Sequence, residues 1–187
     1  MELIKTYNEM EHKSDKETRH KYISNFYDEK FSKIKNNNFK LLEIGVSSGK
    51  SILLWESFFK NAEIFGVDIK KTEKFEFSKS VKIYNKNAYD LDFIFYLKSK
   101  YFNFDVIIDD GSHSAQDQVF FCNHYKSLLS ENGILIVEDV KVENIKKLEE
   151  MFPDFTTLDL MHITTAMNDN IIFYYEKRNK KNIKIHI

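Results

Sequence analysis

The sequence is poor in residues that break or lock the backbone. It has one proline and five glycines in 187 residues, well under the roughly 5% and 7% of an average protein. So few glycines suggest a specific need for each, and we expect all five to lie at strand ends or tight turns. The only cysteine is Cys122, which excludes an intramolecular disulfide and favours a reduced, cytoplasmic setting.

Long apolar stretches and an excess of either charge are also lacking. The longest apolar runs, at 93–97 and 171–175, have five residues, far short of the ~20 that cross a bilayer. No secretory signal is visible after Met1. With 28 Lys and Arg against 29 Asp and Glu, the net charge is −1, and no basic groove interleaved with aromatic residues stands out. We therefore expect neither a membrane nor a nucleic-acid partner.

The length of the chain fits one compact domain and leaves little room for a second. We predict a single domain over 1–187, composed of an N-terminal helical segment (1–37), a core (38–176) and a basic tail (177–187). The first fourteen residues are polar and are expected to be loose. The basic tail is expected to be a solvated run of charge.

The remaining pattern predicts one N-terminal helix followed by an α/β core. Ser14 and Glu17 have capping-box spacing, and an apolar stripe at helical spacing continues to Ile34. Beyond it strands and helices alternate, which favours a mainly parallel sheet with helices on both faces. The predicted strands are 39–44, 64–69, 81–84, 104–108, 134–137, 155–160 and 171–175, and the helix faces lie within 52–59, 91–97, 121–129 and 145–152.

The first strand of the core runs into a turn that suits a ligand. Glu43 is followed by Gly45 and Gly49, and a helix begins after the second glycine. Glycine lets the backbone approach a ligand closely and tolerates positive φ. The second strand ends in Asp68, nineteen residues after Gly49, where a carboxylate can bond ribose hydroxyls. The plainer interpretation is a tight turn and an exposed aspartate, but the combination favours a nucleoside ligand.

The spacing of the glycines indicates which kind of nucleoside ligand the turn would bind. A dinucleotide fingerprint is G-x-G-x-x-G, whereas this chain has E-x-G-x-x-x-G between Glu43 and Gly49. An acid in the turn disfavours a diphosphate and favours a cationic ligand with an amino-acid tail. This stretch resembles motif I of the class I S-adenosylmethionine-dependent methyltransferases.

That resemblance implies a fold, a cofactor and a set of contacts. The implied fold is α/β and Rossmann-like, with three α/β/α layers and a mostly parallel seven-stranded sheet whose last strand is antiparallel. The implied cofactor is S-adenosylmethionine, with its methionine and ribose portion along the glycines, its ribose on Asp68 and its adenine at Asn87-Ala88. The cofactor-binding residues implied in this way are Glu43, Gly45, Gly49, Asp68, Asn87, Ala88 and Asp109.

Acidic residues follow two further strands. Asp109-Asp110-Gly111-Ser112-His113 comes after one strand, and Glu138-Asp139 after the next. Neighbouring tips of a parallel sheet lie together, so Asp110, Glu138 and Asp139 should converge. Three carboxylates repel unless they share a proton or a cation, and a hard divalent ion, Mg²⁺ first, satisfies them. A charged turn and a solvated strand end are the plainer alternatives.

His113 lies three residues past Asp110. A neutral imidazole there can take a proton from an acceptor hydroxyl, and a metal bound to the same hydroxyl would lower its pKa. The alternative is a loop histidine that bonds a neighbour. His20, near the start of the first helix, could reach over the cofactor, but we expect an exposed helix residue instead.

The acidic motifs resemble those of the metal-dependent sugar O-methyltransferases of macrolide-antibiotic and bacterial polysaccharide pathways. The resemblance includes the stretch Ser14-Asp15-Lys16 with His20 and Tyr22. It implies that Mg²⁺ is bound by Asp110, Glu138 and Asp139 and that His113 is the base. It also implies a small hydroxylated acceptor, such as a sugar or nucleotide sugar, and a possible homo-oligomer.

Other functions stay open at this point. A metal-independent methyltransferase of another small molecule is the alternative within enzymes. A catalytically silent cofactor-binding partner subunit is the alternative outside them, although His113 and the three acids are intact. A nucleotide-dependent dehydrogenase is disfavoured by the glycine spacing.

Overall fold

The structure is a computed structural model that describes residues 1–70, 75–101, 103–163 and 168–177. Of the predicted basic tail, only Lys177 lies among the described residues. Within this part of the chain, no helix is both long enough and apolar enough to cross a bilayer.

Seven strands form one mixed sheet in the order β3-β2-β1-β4-β5-β7-β6. Strands β1 to β5 pair in parallel, and β7 is antiparallel to both of its neighbours. This confirms the predicted topology with its antiparallel last strand. The strands are β1 (Asn38–Ile44), β2 (Asn61–Asp68), β3 (Val81–Asn85), β4 (Phe104–Asp109), β5 (Leu129–Val137), β6 (Thr156–Asp159) and β7 (Ile171–Glu176).

Helices cover both faces of the sheet, as predicted. Side chains alternate along each strand, so Leu41 packs into the layer on one face and Leu42 into the layer on the other. The first face carries α1 (Leu3–Glu9), α2 (Asp15–Thr18), a π-helix (Ile23–Tyr27) that continues into α3 (Asp28–Ser32), and α4 (Lys50–Phe58). The second carries α5 (Leu91–Tyr101), α6 (Ala115–Tyr125), a 3₁₀ turn (Lys126–Leu128) and α7 (Val142–Met151).

The N-terminal segment differs from the prediction in two ways. The first residues are not loose, because α1 forms there and buries Leu3 and Tyr7. The helix expected from Ser14 to Ile34 is broken into α2, the π-helix and α3. Ser14 precedes α2 but its side chain makes no capping bond, and Glu17 instead accepts hydrogen bonds from Ser24.

The glycine prediction was wrong at two of the five positions. Gly66 lies inside β2 and Gly133 inside β5. At Gly66 the reason is packing space, since a Cβ there would stand 2.6 Å from both Ile83 Cδ1 and Val46 Cγ2.

Candidate active site

The carboxyl ends of β1 and β4 meet through backbone contact. Gly45, directly after β1, has φ +88°, and a Cβ there would lie 1.8 Å from the carbonyl oxygen of Asp110. Gly49 has φ 85° and stands immediately before α4. Positive φ is readily adopted only by glycine. The turn predicted to bind the cofactor is therefore pressed against the turn that carries the acids.

A cavity of about 710 Å³ opens beside this contact, at the tips of β1, β2 and β3. Gly45, Asp68, Asn87 and Ala88, four of the seven predicted cofactor residues, line it. A larger groove, of about 1280 Å³, lies near the amino ends of β1 and β4, beside Phe39 and Glu131. None of the predicted site residues lines it.

Asp68 is held in place at the tip of β2. Its Oδ2 accepts a hydrogen bond from the Ser47 amide at 2.7 Å, and its Oδ1 accepts one from the Lys70 amide at 2.8 Å. Each carboxylate oxygen has a second lone pair. The side chain is thus fixed at the cavity wall with acceptor capacity left for a ligand.

Glu43 and Asp109 are buried and do not line the cavity. Glu43 Oε2 accepts from the Trp55 indole N–H at 2.9 Å. Asp109 Oδ1 accepts from the Tyr89 hydroxyl at 2.6 Å, and Tyr89 itself forms part of the cavity wall. Burial raises the pKa of Asp109 to about 7. Tyr89 therefore links this buried carboxyl to the cavity.

The predicted acids do converge, and two of them, Asp110 and Glu138, contact the ammonium group of Lys16. Lys16 Nζ, on α2, lies 2.7 Å from Asp110 Oδ2, 2.7 Å from both oxygens of Glu138 and 3.2 Å from Glu43 Oε1. Its side chain is 1% exposed. Burial alone would lower the pKa of Lys16, but the three carboxylates outweigh it and hold that pKa well above its ordinary value.

Two tyrosines of the N-terminal segment bind two residues of the acid cluster, which is formed by Asp110, Glu138 and Asp139. The Tyr22 hydroxyl donates to Asp139 Oδ1 at 2.8 Å, and the Tyr27 hydroxyl donates to Glu138 Oε1. They are five residues apart, and the π-helix between them has the Asp28 amide bonded to Ile23 O, also five residues back. That repeat brings both hydroxyls to the same side. The irregular helix thus aims the two tyrosines at adjacent acids.

Asp139 lies between two histidines. His20 Nδ1 is 3.3 Å from its Oδ1, and His113 Nε2 is 3.9 Å from its Oδ2. His20 is only 2% exposed, so the expectation of an exposed histidine was wrong. His113 is 34% exposed and faces the solvent side of the cluster. Burial, and then the charge of Asp110, raise the pKa of Asp139.

Two of the three predicted metal ligands lie in one group of possible donors. Asp110, His113 and Asp139 each offer one ligand atom, all within 4.8 Å of one another. The two carboxylates offer the oxygen ligands that a hard divalent cation such as Mg²⁺ prefers. The third predicted ligand, Glu138, contacts Lys16 through both of its oxygens, and one of them also accepts from Tyr27. The three predicted ligands therefore lie close together, but Glu138 contacts Lys16 through both oxygens, whereas Asp110 and Asp139 each have one oxygen near His113.

Comparison with known families agrees with this geometry. A family model described as a methyltransferase domain matches residues 42–140. The chain belongs to this methyltransferase family. The matched stretch runs from the end of β1 past Asp139, so it contains both the glycine turn and the acids.

Curated relatives of this chain are O-methyltransferases. It is 29% identical over 122 residues to mycinamicin VI 2''-O-methyltransferase of Micromonospora griseorubida, which covers 61% of this chain and 30% of that protein. It is 28% identical over 141 residues to L-olivosyl-oleandolide 3-O-methyltransferase of Streptomyces antibioticus, covering 70% and 35%. The chain thus spans about a third of the length of these relatives.

Solved methyltransferases share the fold. The MycE methyltransferase of the mycinamycin pathway, in complex with Mg, S-adenosylhomocysteine (SAH) and mycinamycin VI, superposes with a TM-score of 0.75 at 20% identity, covering 97% of this chain and 56% of that one. Human methyltransferase-like protein 13 in complex with SAH gives a TM-score of 0.59 at 19% identity, covering 78% and 74%. The predicted class I methyltransferase fold is confirmed.

Sequence reasoning missed the functional weight of the N-terminal segment. The sequence marks Lys16 only through a family resemblance, yet Lys16 contacts Asp110 and Glu138, which lie 94 and 122 residues away in sequence. In the sequence Tyr27 is only one position of the apolar stripe that ends at Ile34, and nothing in its neighbourhood distinguishes Tyr89. A lysine with no nearby acid on its own helix face gave no local signal of a buried ion pair.

Proposed function

We propose that the chain is an S-adenosylmethionine-dependent O-methyltransferase acting on a hydroxyl of a small molecule, a sugar or nucleotide sugar. In this proposal Asp110, Glu138 and Asp139 hold Mg²⁺ and His113 is the general base. The observation that carries it is the direct contact between the Gly45 turn of the cavity and the Asp110 turn of the acid cluster. A cofactor site and a hydroxyl-activating site then share one wall.

On the cofactor side, the residues present suit a nucleoside with an amino-acid tail. S-adenosylmethionine supplies a methyl group whose transfer to an oxygen leaves a neutral thioether. Asp68, fixed by the Ser47 and Lys70 amides, would accept from ribose hydroxyls. Asn87 and Ala88 at the cavity wall would contact the base, and Gly45 leaves room for close approach.

On the acceptor side, three groups share the work. Asp110 and Asp139 each offer one oxygen toward His113, and a divalent cation held there would lower the pKa of a bound hydroxyl. His113 Nε2, at the exposed rim, would take the hydroxyl proton. The chain's main contribution is then alignment of the acceptor with the methyl group.

The sugar-like acceptor is supported by the relatives, one of which is named for an olivosyl group, L-olivosyl-oleandolide 3-O-methyltransferase. A metal-dependent site suits such acceptors, because two neighbouring hydroxyls can both reach one cation. A homo-oligomer and a cytoplasmic setting stay predictions.

A second candidate is a metal-independent small-molecule methyltransferase. It is favoured by Lys16, whose ammonium already lies among Asp110, Glu138 and Glu43. The two candidates differ in their response to chelation. Methyl transfer by the first is abolished by EDTA and restored by Mg²⁺, whereas transfer by the second is unchanged.

Binding and transfer assays test the proposal separately. Calorimetry should detect SAH but not NAD, and Asp68→Asn should weaken SAH at least tenfold while the exposed Asp92→Asn does not. Transfer of labelled methyl to a panel of nucleotide sugars and glycosides should be lost in His113→Ala, which keeps its SAH affinity. Binding of NAD in place of SAH would refute the methyltransferase function. Unchanged turnover in His113→Ala would refute the role of His113 as the general base.

A further inference from the structure

The hydroxyl of Tyr89 connects the wall of the cofactor cavity to the turn that carries His113. Tyr89 follows β3 and lines the cavity. Its hydroxyl donates to Asp109 Oδ1 at 2.6 Å and accepts from the Ser112 amide at 3.1 Å. One side chain thus binds both the end of β4 and the backbone of the turn that follows it.

This hydroxyl fits closely against the turn. A Cβ at Gly111 would overlap the Tyr89 oxygen, so glycine leaves the space that the hydroxyl occupies. The ring packs edge-on against Phe120 of α6, with the ring centroids 6.3 Å apart. Burial, and then the charge of Asp109, raise the pKa of Tyr89. The hydroxyl therefore keeps its proton for Asp109 and offers a lone pair to the Ser112 amide.

His113 has a backbone conformation that needs support from its surroundings. Its φ is +54°, in the left-handed region that residues other than glycine rarely adopt. Such a conformation persists only where the surrounding structure fixes it. Ser112, the residue before it, donates its amide to Tyr89 and its hydroxyl to Asp117. Of these two bonds, the one to Tyr89 holds the main chain.

We propose that Tyr89 is a positioning residue for methyl transfer, whose hydroxyl holds the turn 110–113 so that the His113 imidazole faces the acceptor hydroxyl. The inference rests on the proposed function, in which His113 is the general base. It adds that a residue of the cavity wall sets where that base stands relative to the cofactor. Such alignment matters, because a misplacement of about 1 Å can cost about 100-fold in rate.

The first test measures hydrogen exchange of the Ser112 backbone amide by NMR, without cofactor, acceptor or turnover. Tyr89→Phe keeps the ring and removes the acceptor of that amide, so exchange should become about tenfold faster or more. Tyr84→Phe is the matched control, because it removes a hydroxyl that bonds Tyr101 and not the turn. It should leave the Ser112 exchange unchanged. Unchanged exchange in Tyr89→Phe overturns the inference.

A second variant covers the case in which Tyr89→Phe does not fold. That substitution takes a hydrogen-bond donor from the buried carboxyl of Asp109, and an unpartnered buried carboxylate is destabilising. The double variant Tyr89→Phe/Asp109→Asn removes that charge as well. Compared with Asp109→Asn alone, it should show the same faster exchange at Ser112, and equal exchange in the two proteins overturns the inference.

The second test separates positioning from a purely structural role. Its substrate is the nucleotide sugar or glycoside of the panel that the wild type methylates fastest. At a temperature where circular dichroism shows both proteins folded, Tyr89→Phe should lower kcat about tenfold or more. The KM for S-adenosylmethionine and the affinity for SAH should change less than about threefold, because the ring stays in the cavity wall. An unchanged kcat overturns the inference.

A double-mutant cycle tests whether Tyr89 acts through His113. Residual transfer of labelled methyl is measured in His113→Ala with and without Tyr89→Phe. Loss of the hydroxyl should lower the rate about tenfold when His113 is present and less than about twofold when it is absent. Equal factors in the two backgrounds overturn the inference, because Tyr89 would then act through another group.

The outcomes also distinguish this inference from the proposed function. Unchanged Ser112 exchange in Tyr89→Phe, together with lost turnover in His113→Ala, overturns the role of Tyr89 and keeps the base. Faster exchange together with full turnover in His113→Ala refutes the base, and the role of Tyr89 in methyl transfer is overturned with it. Faster exchange, a lower kcat and a non-additive cycle uphold both.

Discussion

Replacing Asp109 by asparagine should make the protein less sensitive to alkaline pH. The carboxyl of Asp109 is 3% exposed, and its Oδ2 has no hydrogen-bond partner among the described residues. Burial therefore raises its pKa from 3.8 to about 7. Asparagine has nearly the same shape, retains an acceptor for the Tyr89 hydroxyl and carries no charge at any pH.

The direction of the pH effect depends on whether the folded or the unfolded state binds the proton of Asp109 more tightly. Because the pKa is higher in the folded state, the stabilisation is complete below the unfolded pKa and is lost as the pH rises through about 7. The pKa difference of about three units corresponds to about 4 kcal/mol in total, at about 1.4 kcal/mol each. Between about pH 5 and pH 8, about 3 kcal/mol of this should disappear.

Urea unfolding at a series of pH values measures this effect. The free energy of unfolding of the wild type, minus that of Asp109→Asn, should fall by about 3 kcal/mol from pH 5 to pH 8. Other buried acids contribute equally to both proteins and cancel in the difference. Asp92→Asn, at an exposed position of α5, should give a flat difference. A flat difference for Asp109→Asn as well would refute the idea that burial controls this carboxyl.

Two further predictions concern the turn and the tyrosines. Gly45→Ala should cost at least about 3 kcal/mol of folding free energy, measured by urea unfolding, because its φ is +88° and its Cβ would lie 1.8 Å from backbone. Gly133→Ala should cost less, because the nearest atom to its Cβ would be 3.1 Å away. Equal costs for the two variants would contradict this reasoning. Tyr27→Phe removes a hydroxyl from Glu138, whose pKa burial already raises, so its cost of ~1–3 kcal/mol should grow toward alkaline pH. Tyr7→Phe, which loses a bond to a neutral carbonyl, should show no such growth, and parallel pH profiles for the two variants would count against the argument.

The sheet and its tips were predictable because their signals are local. Each strand of the core carries its own apolar run, and an acidic residue directly follows the run at Asp68, Asp109 and Glu138. Parallel pairing then brings the tips together with no further information. The bounds differ mainly at ends, as in β5, which begins at Leu129 rather than near residue 134.

The N-terminal segment was not predictable in the same way, because its side chains are defined by distant partners. Lys16 and His20 look like surface residues on a polar helix, yet both are buried against acids more than 90 residues away. The hydrophobic periodicity could not predict the π-helix either, because the π-helix places Tyr22 and Tyr27 against acids that are distant in sequence. The buried pair Leu3 and Tyr7 did carry a usable signal, a helical spacing of four residues.

The distance between the two halves of the acid cluster constrains how this fold can be cut or recombined. The stretch matched by the family model begins at residue 42, but the ammonium and phenol groups that face its acids come from Lys16, Tyr22 and Tyr27. A fragment or chimera joined at the first strand would inherit buried anions without their counter-ion. Grafting must therefore move both segments together, and a natural replacement of Lys16 should be accompanied by the loss of an acid.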